Sequence, residues 1–109
     1  MLQEGILNPQ LNDLLSRIRH TNTLVIADWA FPYWNDVEIV DLSLTRGIPL
    51  ITDLLDVLKN NFKVGHIWQA EEFLSTNPDE VITKYNDSFD GFNGLYPELK
   101  VSRLPHNDF

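Results

Sequence analysis

Val64-Gly65-His66-Ile67-Trp68-Gln69-Ala70, then Asn77-Pro78, then Leu99-Lys100-Val101-Ser102-Arg103-Leu104 decide the fold. The first run is rich in β-branched and aromatic residues and reads as a strand over 64–70, leading into Glu71 and Glu72. Asn77 is a good N-cap and Pro78 fits the first helical position, where a missing N–H costs nothing. The helix they open places Val81, Ile82, Tyr85 and Phe89 inside. Residues 90–98 hold two Gly and one Pro and read as a loop. A last strand covers 99–104.

The same alternation extends toward the N-terminus. Asn8-Pro9 opens a helix whose apolar face is Leu11, Leu14, Leu15 and Ile18, at i, i+3, i+4, i+7. Arg17 and Arg19 suit the negative end of its dipole, and His20 falls at or just past its end. Thr23 to Ala27 is a continuous β-prone run. Apolar on both faces, it predicts a central, parallel strand ending at Asp28. Residues 29–36 form a loop with four aromatics: Trp29, Phe31, Tyr33 and Trp34. Val37 to Leu42 reads as another strand. Pro49 can start a helix to about Asn60 or Asn61 that buries Leu50, Leu54, Leu55 and Leu58. Helix and strand patterns alternate, so the class is α/β, with a mainly parallel sheet and helices on both faces, a three-layer arrangement. Ligands in such sheets sit beyond the carboxyl ends of the strands. Asp28 falls at such an end, which makes it a candidate site residue.

Composition narrows the function. The chain has 109 residues, which fits one domain spanning 1–109. Eight Lys+Arg stand against sixteen Asp+Glu, a formal charge of −8. That balance disfavours a nucleic-acid partner, which needs clustered cations, and disfavours docking on an anionic membrane. Cysteine is absent, which excludes disulfides, thiolate nucleophiles and Cys-based metal sites. The three histidines show no H-x-H or H-E-x-x-H spacing, so no metal is expected. The start of the chain has no basic region or long apolar run, and nothing approaches ~20 apolar residues, so a cytoplasmic protein is expected. No G-x-G-x-x-G or Walker A pattern supports a nucleotide site.

Taken together, several stretches resemble the D-ribose pyranase / L-fucose mutarotase family, its ribose branch most closely. They are Gly5-Ile6-Leu7-Asn8, His20-Thr21-Asn22, Val25-Ile26-Ala27-Asp28 with Pro32, and Asp41-Leu42-Ser43-Leu44-Thr45 with Gly47-Ile48-Pro49. Ala70-Glu71-Glu72, Asn77-Pro78 and His106 with Phe109 complete the set, so the match runs from about Glu4 to Phe109. The resemblance implies a Rossmann-like subunit in a ring-shaped homo-oligomer, with a sugar pocket near subunit contacts. It implies interconversion of cyclic forms of a free, ribose-like monosaccharide, with neither metal nor nucleotide as cofactor. The family's site residues map onto His20 as the catalytic histidine, and onto Asp28 and His106 as sugar-binding groups. The family continues past this point with a helix and two strands carrying a Pro-Tyr-Ala-Asn motif. That motif has no counterpart in the 109 residues, so the domain is expected to be C-terminally shortened. Trp29-Ala30-Phe31 stands where ribose pyranases read Ala-Gly-Leu, and a bulky Trp29 reshapes the pocket.

The chemistry suits those residue types. Opening a cyclic hemiacetal needs a base for the anomeric O–H and an acid for the ring oxygen, and a histidine can serve as either near neutral pH. A nearby carboxylate orients the imidazole or holds sugar hydroxyls. Each residue also has a plain structural reading. His20 would cap a helix, Asp28 would bond loop N–H groups, and His106 would fray with the chain end. His66, within a strand, reads as a packed or edge residue. Adjacent strand-end residues point opposite ways, so one of Glu71 and Glu72 is a surface charge or oligomer contact. The Trp29–Trp34 aromatics read as a subunit interface. A non-catalytic sugar-binding or scaffold subunit is the alternative to an enzyme.

Overall fold

The computed structural model describes residues 1–93 and 99–108. Its elements are α1 (Pro9–Arg17), α2 (Ile51–Asn61), β1 (His66–Ala70), α3 (Phe73–Thr76), α4 (Asp79–Asn93), β2 (Lys100–Leu104) and a closing 3-10 turn, His106–Asp108. The strands pair in parallel, from His66 opposite Lys100 to Ala70 opposite Leu104. This is a mixed α/β arrangement with a parallel sheet, as the alternating patterns require.

Local chemistry sets the helix starts. The Asn8 side chain accepts the Leu11 N–H at 2.8 Å, with Pro9 following it in the first turn. α2 begins at Ile51, two residues after Pro49, where the Asp53 carboxylate accepts the Leu50 N–H at 2.8 Å. Leu50 therefore lies outside the helix and is exposed rather than buried. α4 runs further than the glycine content suggested, because Phe92 is buried and anchors its last turn. Residues 90–93, expected in a loop, are thus helical, and residues 94–98 lie outside the described residues, as does Phe109.

The core is a cluster of Leu11 and Leu15 from α1, Leu55 and Leu58 from α2, and Phe89 and Phe92 from α4. Ile67 of β1 and Val101 of β2 pack against it, with Leu24, Ile26, Val40 and Leu42 from the segment before α2. The same sheet face carries Arg103, whose guanidinium donates to Gln69 and to Asn86 of α4, each at 3.2 Å. The opposite face carries His66, Trp68 and Ser102. There the His66 ring stacks on Trp68 with centroids 3.9 Å apart, and His66 Nε2 lies 2.8 Å from Ser102 Oγ. His66 is thus a packed strand residue, as its sequence position suggested.

Two expected strands, 23–27 and 37–42, are not strands among the described residues. Neither carries a ladder. A β-prone run becomes a strand only when a neighbour supplies the partner groups. The two-sided burial expected of a central strand is also missing: Leu24 and Ile26 face the core, whereas Val25 is 68% exposed. Helix α3 was not legible beforehand, since its four residues carry no apolar period.

Candidate functional site

The register of the sheet builds one end of the site. Ala70 and Leu104 lie level, and the Glu71 N–H donates to the Leu104 carbonyl at 2.8 Å, one bond beyond the ladder. β2 then leaves through Pro105, which has no N–H. His106 opens the 3-10 turn, so its N–H is an unpaired donor at a helix start. The Glu72 carboxylate takes that donor with both oxygens, at 3.1 and 2.9 Å. Its carboxyl is held below the usual carboxylate range by its own backbone N–H, then by that of His106, with the His106 charge adding to both. The two glutamates therefore diverge: Glu71 extends the sheet through its backbone, while Glu72 reaches across to His106.

The Asp28 loop forms a second part. Asp28 Oδ1 accepts the Ala30 N–H at 2.9 Å, and its carbonyl accepts the Phe31 N–H at 3.1 Å. The carboxylate is used locally, as an Asx turn, and one oxygen is left for other partners. Trp29 is folded against the turn 45–48, where the Arg46 guanidinium lies 5.7 Å from its ring centroid. Gly47, φ +80°, supplies the left-handed residue that this turn needs. The residue after Asp28 thereby meets the turn that follows Thr45.

Tyr85 packs beside the first part. Its hydroxyl is pushed above the ordinary tyrosine value, first by burial and then by the negative charge of Asp28. Its ring packs on Phe73, centroids 4.6 Å apart, and Phe73 follows Glu72 in the chain. Glu72 and His106 form a hydrogen-bonded set at the carboxyl ends of β1 and β2, with Tyr85 packed on Phe73 beside it, whereas Asp28 follows a segment that is not a strand.

His20 stands apart from that set. It lies past α1, in a turn closed by the Asn22 N–H to the Arg19 carbonyl at 3.0 Å and by the Arg19 N–H to Asn22 Oδ1 at 2.8 Å. His20 is exposed. No hydrogen bond or ion pair among the described residues joins it to Asp28 or His106. Its neighbour Thr21 has φ +75°, an unfavourable conformation for a β-branched residue. Strain of this kind is held where the surroundings impose it, and it concentrates at functional sites.

Two surface clefts, of about 380 and 230 Å³, lie elsewhere. The first is lined by Ile6, Leu15 and Phe62 among others, the second by Gln10, Glu38 and Asp41 among others. Neither contains His20, Asp28 or His106. The aromatics 29–34 are exposed, with Trp29 at 67% and Trp34 at 57%, and Phe31 packs on Trp34 with centroids 5.5 Å apart. Among the described residues no helix is long and apolar enough to cross a membrane.

Sequence reasoning missed the tie of Glu72 to His106 and the place of Tyr85 beside it. The Ala70-Glu71-Glu72 match was the signal for Glu72. Tyr85 carried none, because a tyrosine on an apolar helix face reads as core.

Comparison with known proteins identifies relatives of the whole chain. The chain is 42% identical over 109 residues to a D-ribose pyranase of Geobacillus kaustophilus, covering all of this chain and 74% of that protein. It is 43% identical over 79 residues to a D-ribose pyranase of Geobacillus thermodenitrificans, covering 72% of this chain and 60% of that one. The structure of Bacillus subtilis RbsD complexed with D-ribose superposes with a TM-score of 0.76 at 30% identity, over all of this chain and 77% of that one. A family model matches residues 1–109 from end to end, and the chain belongs to the RbsD / FucU transport protein family.

Proposed function

We propose that this chain interconverts the cyclic forms of a free monosaccharide, ribose or a close relative, by acid/base ring opening. The observation that carries the reading is the likeness, over the whole chain, to a structure holding D-ribose. The names of the curated relatives agree with it. His20 takes the anomeric O–H proton and returns it to the ring oxygen as the ring C–O bond breaks, leaving the open-chain aldehyde. Closure by a different hydroxyl, or on the other face of the carbonyl, gives the new form. Asp28 and His106 hold sugar hydroxyls. The strained turn beside His20, the Asx turn of Asp28 and the hydrogen-bonded set of Glu72 and His106 support these roles.

The separation of His20 from that set favours completion of the site by a second copy of the chain. The exposed aromatics 29–34 supply an apolar surface for a homo-oligomer. The same separation is the one observation favouring a sugar-binding subunit without turnover. Saturation-transfer NMR on ribose decides between the two. Magnetisation passing between anomeric signals faster than in buffer supports the enzyme. An unchanged rate at high protein concentration, together with ribose binding, supports the non-catalytic subunit.

A further inference from the structure

We infer that Glu72 is the positioning residue for His106, fixing by a backbone bond the place from which the His106 ring meets the sugar. The inference deepens the proposed function and rests on that reading for the sugar. His106 is held at its backbone and free at its ring. Both Glu72 oxygens accept its N–H, at 3.1 and 2.9 Å, while the imidazole makes no hydrogen bond among the described residues. A histidine packed for stability shows the reverse pattern, with its ring nitrogens engaged, as His66 does with Ser102 at 2.8 Å.

Two further features make the tie specific. Pro105 offers no N–H, so the first donor after the strand is that of His106. The level ends of β1 and β2 deliver Glu72 and His106 to the same edge, held by the Glu71-to-Leu104 bond. Without the tie the 3-10 turn keeps one backbone bond of its own, from the Asp108 N–H to the Pro105 carbonyl at 2.8 Å. It then has nothing to hold it to β1 at this point. Small displacements of a positioned group weaken a site strongly.

The test uses the full chain and has two readouts. The first needs no sugar: the His106 amide proton resonance in a ¹⁵N-correlated spectrum. In wild type it should lie downfield and shift as Glu72 titrates with acid. In Glu72→Ala that position and its titration should be lost. The second is the KM and kcat for ribose exchange. Glu72→Ala should raise KM about 10-fold with a smaller fall in kcat, because the group that moves binds rather than transfers the proton. Glu72→Gln, which keeps an acceptor, should stay within about 3-fold of wild type. A His106 amide signal unaltered in Glu72→Ala overturns the inference, as does an unaltered KM. If wild type neither binds ribose nor accelerates its exchange, the pyranase reading fails. The amide signal then decides on Glu72 alone, its loss in Glu72→Ala supporting the inference and its persistence overturning it.

Discussion

The Glu72 carboxylate accepts the backbone N–H of His106, 34 residues further along the chain, at 2.9 Å. The bond is stronger to the ionised carboxylate than to a neutral acceptor. Because the folded-state pKa lies below the ordinary 4.5, its stabilisation is fully present above that value and is lost as pH falls through the lowered one. The stability difference between wild type and Glu72→Gln should therefore be constant from neutral pH down to about 5, and shrink below 4.5. Urea unfolding at stepped pH measures it. A difference that grows on acidification would contradict the sign.

His20→Ala should remove the acceleration of anomeric exchange while leaving assembly intact, and His20→Asn should do the same. General acid–base assistance is worth ~10²–10⁴-fold, so the loss is measurable. Asp28→Asn should cost less, since an amide still holds a hydroxyl and still accepts the Ala30 N–H. Full exchange in His20→Ala would move the chemistry to another residue.

Thr21→Gly should stabilise the fold by about 1 kcal/mol, because glycine adopts a positive φ without the clash that a β-branched side chain suffers. The φ of +75° at Thr21 motivates the change. If the strain serves to present His20, the same variant loses exchange activity while its thermal midpoint rises. A lowered midpoint would show that Thr21 makes contacts worth more than the strain.

Two changes probe the packing of α2 on α4. Leu58, 2% exposed, should cost ~2–5 kcal/mol on truncation to Ala. Gly91→Ala should stabilise by roughly 0.5 kcal/mol, a net of two effects. Alanine is preferred to glycine within a helix by up to about 1 kcal/mol. Against this, the new Cβ meets Lys59 Cδ at 2.8 Å, so a flexible side chain must swing away from Asp56. Denaturant midpoints with unchanged m-values would report both.

Wild type in solution should be larger than a 12.6 kDa monomer. Replacing Trp29 and Trp34 together by Ser should shift it toward that mass, since burial of such side chains between copies yields ~25 cal/mol per Å². Light scattering at micromolar concentration reads the outcome. A compact monomer in wild type would remove the interface reading of these aromatics.

What could be read beforehand depended on how local the cause was. Asn8 with Pro9, the 3.6-residue period of α1 and the strand over 66–70 are dictated by neighbours in sequence, and they were legible. Thr23 to Ala27 was not, because whether that run becomes a strand depends on a partner elsewhere, and Val25 turned to solvent instead. The same holds in the site. Asp28 at the end of an apolar run was visible, but the step from Glu72 to His106 depends on the parallel register, which no local pattern encodes. Phe92 was hidden by Gly91, whose helix-breaking tendency was outweighed by the burial of its neighbour.

The pairing of β1 with β2 also bears on how the chain is made. Each ladder contact closes a loop of more than thirty residues, so its entropic cost must be met before the ladder returns anything. During synthesis Ile67 and Trp68 emerge well before their partners Val101 and Ser102. Until residue 104 has cleared the ribosome, β1 is an unmatched strand with an apolar side chain on each face, the kind of edge that attracts other nascent chains. Between translation of residue 70 and residue 104, β1 therefore stands without the strand that pairs with it in the folded chain.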